Sequence, residues 1–236
     1  MKILAVDTSS QVAAVAVSEG TKILGEYSIN HKNTHSQKLM PMVNELLGSL
    51  EMTASDIDVF AASIGPGSFT GLRIGVTAIK AMAFAAGKPV VSVPTLEALA
   101  YNAPVSDCLI CSIMDARNNQ VYTALYKYEK GIQTQVSGYM GVSVLELIDI
   151  IKGKNSKVVF VGDAVEIHRE LLLIELRDRC EFVPESLMLQ KGASVAYAAY
   201  IKASRGMLES CFDMVPFYLR KSQAEREYEK ANKGQI

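Results

Sequence analysis

Neither sign of charge is in excess in this chain. Over 236 residues, 24 basic side chains stand against 25 acidic ones, for a formal net charge of −1. So neutral a protein has no global field with which to gather nucleic acid or an anionic membrane, and any meeting with RNA calls for a partner. Histidines number three and cysteines four. Cys180 and Cys211 stand alone. Cys108 and Cys111 lie in DCLICSIMD, which reads as a buried strand. Strand residues three apart face opposite sides, so the two sulfurs diverge and read as small core side chains, not as a metal knuckle. Long apolar runs are missing too. The best candidate is broken by Lys80, short of the roughly 20 residues of a membrane span. MKILAVDTSS stops at Asp7, too early for a secretory leader. These absences lead to the expectation of a cytoplasmic protein with no membrane contact.

What is present is a strand-and-helix alternation long enough to bury about three quarters of the unfolded surface. KILAVD, VAAVAVS and TKILGEYSI read as three strands, the last two joined by a turn at Glu19-Gly20. Thr34 and Gln37 fit a capping box ahead of the stripe Leu39, Val43, Leu46, Leu47 and Leu50, with Pro41 a possible bend. Further on come a strand IDVFAASI, a glycine-rich bend, a helix of about 18 residues, a strand KPVVSVP and a short helix TLEALAYNA. At Cys108 the pattern restarts. LICSIMDARNNQVYTALYKYEKG aligns with ILAVDTSSQVAAVAVSEG, both strands ending in aspartate (Asp115, Asp7) and both turns leading to Gln-Val. The strand QTQVSGYM, the helix VSVLELIDIIK and the strand KVVFVG complete the second unit. Two successive β-β-β-α-β-α units predict an α/β protein of two ribonuclease-H-like lobes, the actin-like ATPase fold shared by actin, Hsp70 and sugar kinases. The divisions expected are 1–103, 104–220 and a polar tail 221–236.

SIGPGSFTGLRIG sits where a phosphate cradle would, between a strand and a helix. It lacks the lysine of GxxxxGK[ST], and its GxGxxxG is one residue too long for the dinucleotide fingerprint. Instead Gly67, Gly71 and Gly75 recur every four residues, with Ala78 and Met82 continuing the row. Glycine inside a helix costs about 0.5–1 kcal/mol relative to alanine, so a bare stripe must gain from close approach of another surface. That surface is either this chain's own sheet or a partner helix.

GPGSFTGLRIG, together with LAVDTS, HSQKLMP, DARNNQVY and PFYLRKSQAE, closely resembles the TsaB (YeaZ) family over most of the chain. The resemblance implies a catalytically silent dimerisation subunit of the bacterial machinery that places threonylcarbamoyl on the tRNA adenosine beside the anticodon. It implies a TsaD-like catalytic partner, a TsaE-like ATPase, tRNA met through the complex, and a possible homodimer in isolation. ATP and metal would belong to the partners, and this chain would carry no cofactor of its own. The partner interface it implies is half of a four-helix bundle, from Leu39, Met42, Val43 and Leu46 on one helix and Gly67, Gly71, Leu72, Gly75, Ala78 and Met82 on the next. On that expectation Gly75→Leu leaves the monomer folded and abolishes pairing.

Chemistry within the chain is not expected. The first turn offers Asp7-Thr8-Ser9 and the second Asp115-Ala116-Arg117, both without the glycines that close backbone amides on phosphate. Gly162-Asp163-Ala164 is a reduced third loop. Asp7 and Asp115 are read as caps of strand ends. His31 and His35 flank the helix start and have no intervening glutamate, so a metal site is not expected. Arg73 and Lys80 read as solvated charges or rim contacts, and Arg220 and Lys221 as candidates for tRNA or partner contact. The competing reading is an ATPase or kinase of the same superfamily binding ATP between the lobes.

Overall fold

A computed structural model describes residues 1–31 and 35–220. Lys2–Asp7 (β1), Val12–Glu19 (β2), Lys22–Asn30 (β3), Val59–Gly65 (β4) and Val90–Pro94 (β5) form one sheet of order β3-β2-β1-β4-β5. Leu109–Asp115 (β6), Gln120–Glu129 (β7), Ile132–Gln135 (β8), Val158–Val161 (β10) and Cys180–Phe182 (β11) form a second, of order β11-β10-β6-β7-β8. Met140–Ser143 (β9) pairs with β7 as well. The two sheets repeat one topology: an antiparallel hairpin, then parallel additions beside its first strand. This is the duplicated ribonuclease-H-like lobe that the sequence predicts.

Burial explains the near-continuous apolar runs of β1 and β2, for their sheet is covered on both faces. Leu4 and Val6 join Ala13, Val15 and Val17 against α1 (His35–Ser49) and α2 (Phe69–Ala86). Ile3 and Ala5 pack on the opposite face against α6 (Gly192–Ser204), through Val195, Ala196 and Ala199. Helix α6 therefore belongs with the first sheet. This corrects the expectation that the whole of 104–220 builds the second lobe, because contiguity in sequence says nothing of which apolar face a returning helix must cover. Helix α3 (Thr95–Ala100) packs against both sheets and joins the lobes.

Three details differ from the sequence expectations. QTQVSGYM divides into β8 and the start of β9, which pair with opposite halves of β7 across a turn containing Ser137 and Gly138. Cys108 lies just before β6 and is half-buried, whereas Cys111 is fully buried. Among the described residues, α2 alone is long and apolar enough to cross a bilayer by length and composition. It is instead a structural helix of the first sheet, packing on β1 and β4. Helix α1 runs through Pro41, and its expected cap, Thr34, lies outside the described residues, as does the tail 221–236. Helix α4 (Val144–Lys152) starts one residue after Ser143, in a capping box with Glu146.

Candidate functional site

The two aspartate turns, one after β1 and one after β6, are built alike. Asp7 Oδ1 accepts the amide of Ser9 at 2.8 Å, and Asp115 Oδ1 accepts the amide of Arg117 at 2.7 Å. Each aspartate thus folds its own turn, two residues on, as an Asx turn does. The environments then diverge. Asp7 is 1% exposed, and its carboxylate also takes the hydroxyls of Ser9 and Ser63. Burial pushes this carboxyl above its ordinary value, while those hydroxyls and the Ser9 amide pull it back. Asp115 is exposed, and its own amide donates to Asp163 Oδ1 at 3.0 Å. Burial pushes the Asp163 carboxyl up to about 6, against the lowering influence of that amide. The Gly162-Asp163-Ala164 loop therefore props the second turn. Gly162 needs its bare Cα, with φ +125° and a Cβ position that would overlap the Ile113 carbonyl.

The glycine stripe resolves differently from the expectation. A Cβ on Gly67 would overlap the carbonyl of Ser9, one on Gly71 the carbonyl of Thr8, and one on Gly75 the hydroxyl of Thr8. Thr8 Oγ1 donates to the Gly71 carbonyl at 2.7 Å, and the Ser68 amide to the Ser9 carbonyl at 2.7 Å. The stripe receives this chain's own first aspartate turn. Leu39, Met42, Val43, Leu46 and Leu72 are at most 4% exposed and pack within the first lobe. These five, with Gly71 and Gly75, are corrected from partner contacts to core: a side chain already sealed by its own sheet has no surface left to offer. Gly67 is half-buried against Ser9. Ala78 and Met82 are half-buried at the edge of the same core.

The outward surface of the helix pair keeps only Ala78 and Met82 from the expected set and adds neighbours to them. Met40 on α1 is 40% exposed. Ile74, Ala78 and Met82, one helical repeat apart, are half-buried, and Ala81 and Ala85 beside them are exposed. Small and apolar residues thus continue around the outside of α2. Their exposure, not the glycine spacing, marks the available face.

Arg73 and Lys80 are not free charges. Lys80 Nζ donates to the Met214 carbonyl at 2.8 Å, and Arg73 Nε to the Tyr218 hydroxyl at 3.0 Å. Tyr218 stacks on Phe69 with ring centroids 4.1 Å apart. The segment Cys211–Arg220 is therefore strapped along α2, with an apolar groove of about 580 Å³ between Phe84, Phe212, Val215 and the helix. Arg220 donates to the Ala116 carbonyl and lies over the Tyr122 ring, and it stays half-exposed. Lys221 lies outside the described residues. The motif PFYLR carries no sign of this role in sequence, since nothing local to those residues names their distant partners. His35 Nε2 contacts the Ser10 carbonyl at 2.7 Å, while His31 is exposed; among the described residues no group of three His, Cys, Asp or Glu side chains converges.

Comparison with known proteins agrees with this architecture. Residues 22–228 match the family described as TsaD: tRNA N6-adenosine threonylcarbamoyltransferase. The chain is 32% identical to the tRNA threonylcarbamoyladenosine biosynthesis protein TsaB of Bacillus subtilis, over 99% of this chain and all of that one. It is 32% identical to the TsaB of Escherichia coli over 55% of this chain and 57% of the relative. A Pseudomonas aeruginosa crystal structure, described as an uncharacterized protein with similarity to peptidase YEAZ, superposes with a TM-score of 0.79. That pair shares 25% identity, over 93% of this chain and 99% of the other.

Proposed function

Because this chain belongs to the TsaB family, we propose that it serves tRNA threonylcarbamoyladenosine biosynthesis as a catalytically silent subunit. Its task is to dock a TsaD-like catalytic partner, which supplies the metal and nucleotide chemistry. A TsaE-like ATPase then joins the pair, and tRNA is met through the assembly.

The observation that carries the silent role is how the first aspartate turn spends its polar groups. In an actin-like cleft, phosphate is held by free backbone amides and a carboxylate that manages its metal. Here the Asp7 carboxylate takes the Ser9 amide and two hydroxyls, the Ser68 amide is given to Ser9, and the helix start is packed by Thr8. A phosphate would have to displace each of these internal bonds. Docking is assigned to the outward face of α1 and α2, from Met40, Ile74, Ala78, Met82 and Ala85. In isolation the same face would make a homodimer. Size-exclusion chromatography of the chain mixed with a TsaD-like protein tests the pairing. A joint peak lost in the folded double variant Met40→Glu/Ala85→Glu supports the reading, and separate elution of the wild-type proteins overturns it.

A further inference from the structure

The groove between α2 and the strap is apolar along its walls and of one sign in its charges. Phe84 and Phe212 meet edge to face with ring centroids 5.7 Å apart. With Val215, they line the groove while 65%, 71% and 63% exposed. Three large apolar side chains left in water at one place mark an interaction surface. Arg73 and Lys80 line the same groove, and no carboxylate does. Both cations spend their hydrogen bonds on neutral oxygens: Lys80 on the Phe212 and Met214 carbonyls, Arg73 on the Tyr218 hydroxyl. Among the described residues the salt bridges all lie elsewhere. The groove also borders the face assigned to docking. Ala81 lines it and stands on α2 three residues from Ala78 and four from Ala85, on the same side of the helix.

We propose that this groove receives an apolar segment bearing a carboxylate, carried by the partner that docks on α1 and α2; the inference rests on the function proposed above. The lining divides the work. Phe84, Phe212 and Val215 take the segment's apolar side chain, and desolvating them supplies the hold. Arg73 and Lys80 offer the carboxylate an opposite charge that no described side chain supplies, which sets the register and rejects a basic segment. Because Ala81 belongs to both surfaces, a helix seated on Ala78 and Ala85 brings the segment to the edge of the groove. A second copy of this chain seated groove to groove fits worse, since it brings like charges together.

The test is calorimetric titration of the full chain with a TsaD-like protein. Phe212→Ala and Val215→Asp alter exposed side chains, so the unfolding temperature should hold. Each is expected to weaken association by about tenfold or more. Val215→Lys loses the same apolar surface but carries the opposite charge. It is expected to bind about fivefold more tightly than Val215→Asp, with the gap narrowing at high salt. The Val215 pair keeps the test decisive if Phe212→Ala fails to fold. Wild-type binding with unchanged affinity in Val215→Asp would overturn the groove proposal and leave the docking reading standing; no wild-type binding would overturn both. Equal affinities in Val215→Asp and Val215→Lys would overturn the carboxylate. Tighter binding by a chain ending at residue 220 would make 221–236 the occupant. Self-association lost in Phe212→Ala with partner binding intact would make it a second copy. Either result overturns the proposal.

Discussion

The Thr8 hydroxyl donates to the carbonyl of Gly71 at 2.7 Å across 63 residues of sequence, and the Thr8 carbonyl fills the space a Gly71 side chain would need. The absence of a side chain on α2 is thus answered by the turn after β1. Gly71→Ala and Gly75→Leu are expected to lower stability by about 1–3 kcal/mol or more, as overpacking does. Gly48, in α1 with nothing within 4 Å of its Cβ position, serves as the control. There alanine should be neutral or stabilising by up to about 1 kcal/mol. Urea denaturation of the three variants separates these outcomes.

The same geometry separates folding from docking among the apolar residues. Leu39 is 1% exposed, so Leu39→Ala should cost about 2–5 kcal/mol. Met40, its neighbour in sequence, is 40% exposed, and Met40→Glu should leave stability within about 0.5 kcal/mol. Thermal unfolding checks both; association with the partner is expected to fail only in the second while the protein remains folded.

The fold was legible because two signals repeat. Apolar runs and turn residues locate most of the strands, and the doubled Asp…Gln-Val pattern announces the second lobe before any coordinate does. The stripe of glycines was legible as a need for close approach, but periodicity carries no label for what approaches. Thr8 and Ser9 lie some 60 residues upstream, and nothing in their local sequence points to α2. The same holds for Tyr218 and Arg73, whose pairing depends on a return across the whole second lobe. Helix α6 was misassigned for a related reason: its alanine-rich sequence fits either sheet, and only the uncovered face of β1 and β2 decides.

Asp163 supplies a pH dependence whose sign follows from burial. Its carboxyl is held up at about 6 in the folded protein, above the ordinary 3.8. The native state therefore binds this proton more readily than the unfolded chain, so its contribution is fullest below pH ~4 and is lost as pH rises through about 6. Asn in its place can still accept the Asp115 amide and does not ionise. Asp163→Asn should gain stability relative to wild type on going from pH 4 to pH 7, by on the order of 2 kcal/mol. Denaturant midpoints of both proteins across that window give the difference, and a difference independent of pH would contradict the assignment.

The most direct test of the silent-subunit account is a reconstituted transfer assay on unmodified tRNA, with threonylcarbamoyl-adenylate as donor. The chain is assayed alone, the TsaD-like protein with its ATPase alone, and all three together. The account predicts no modified adenosine from this chain alone and a rise of at least tenfold when it joins the others. Transfer by the chain alone, or a three-component rate no higher than that without it, would contradict the account.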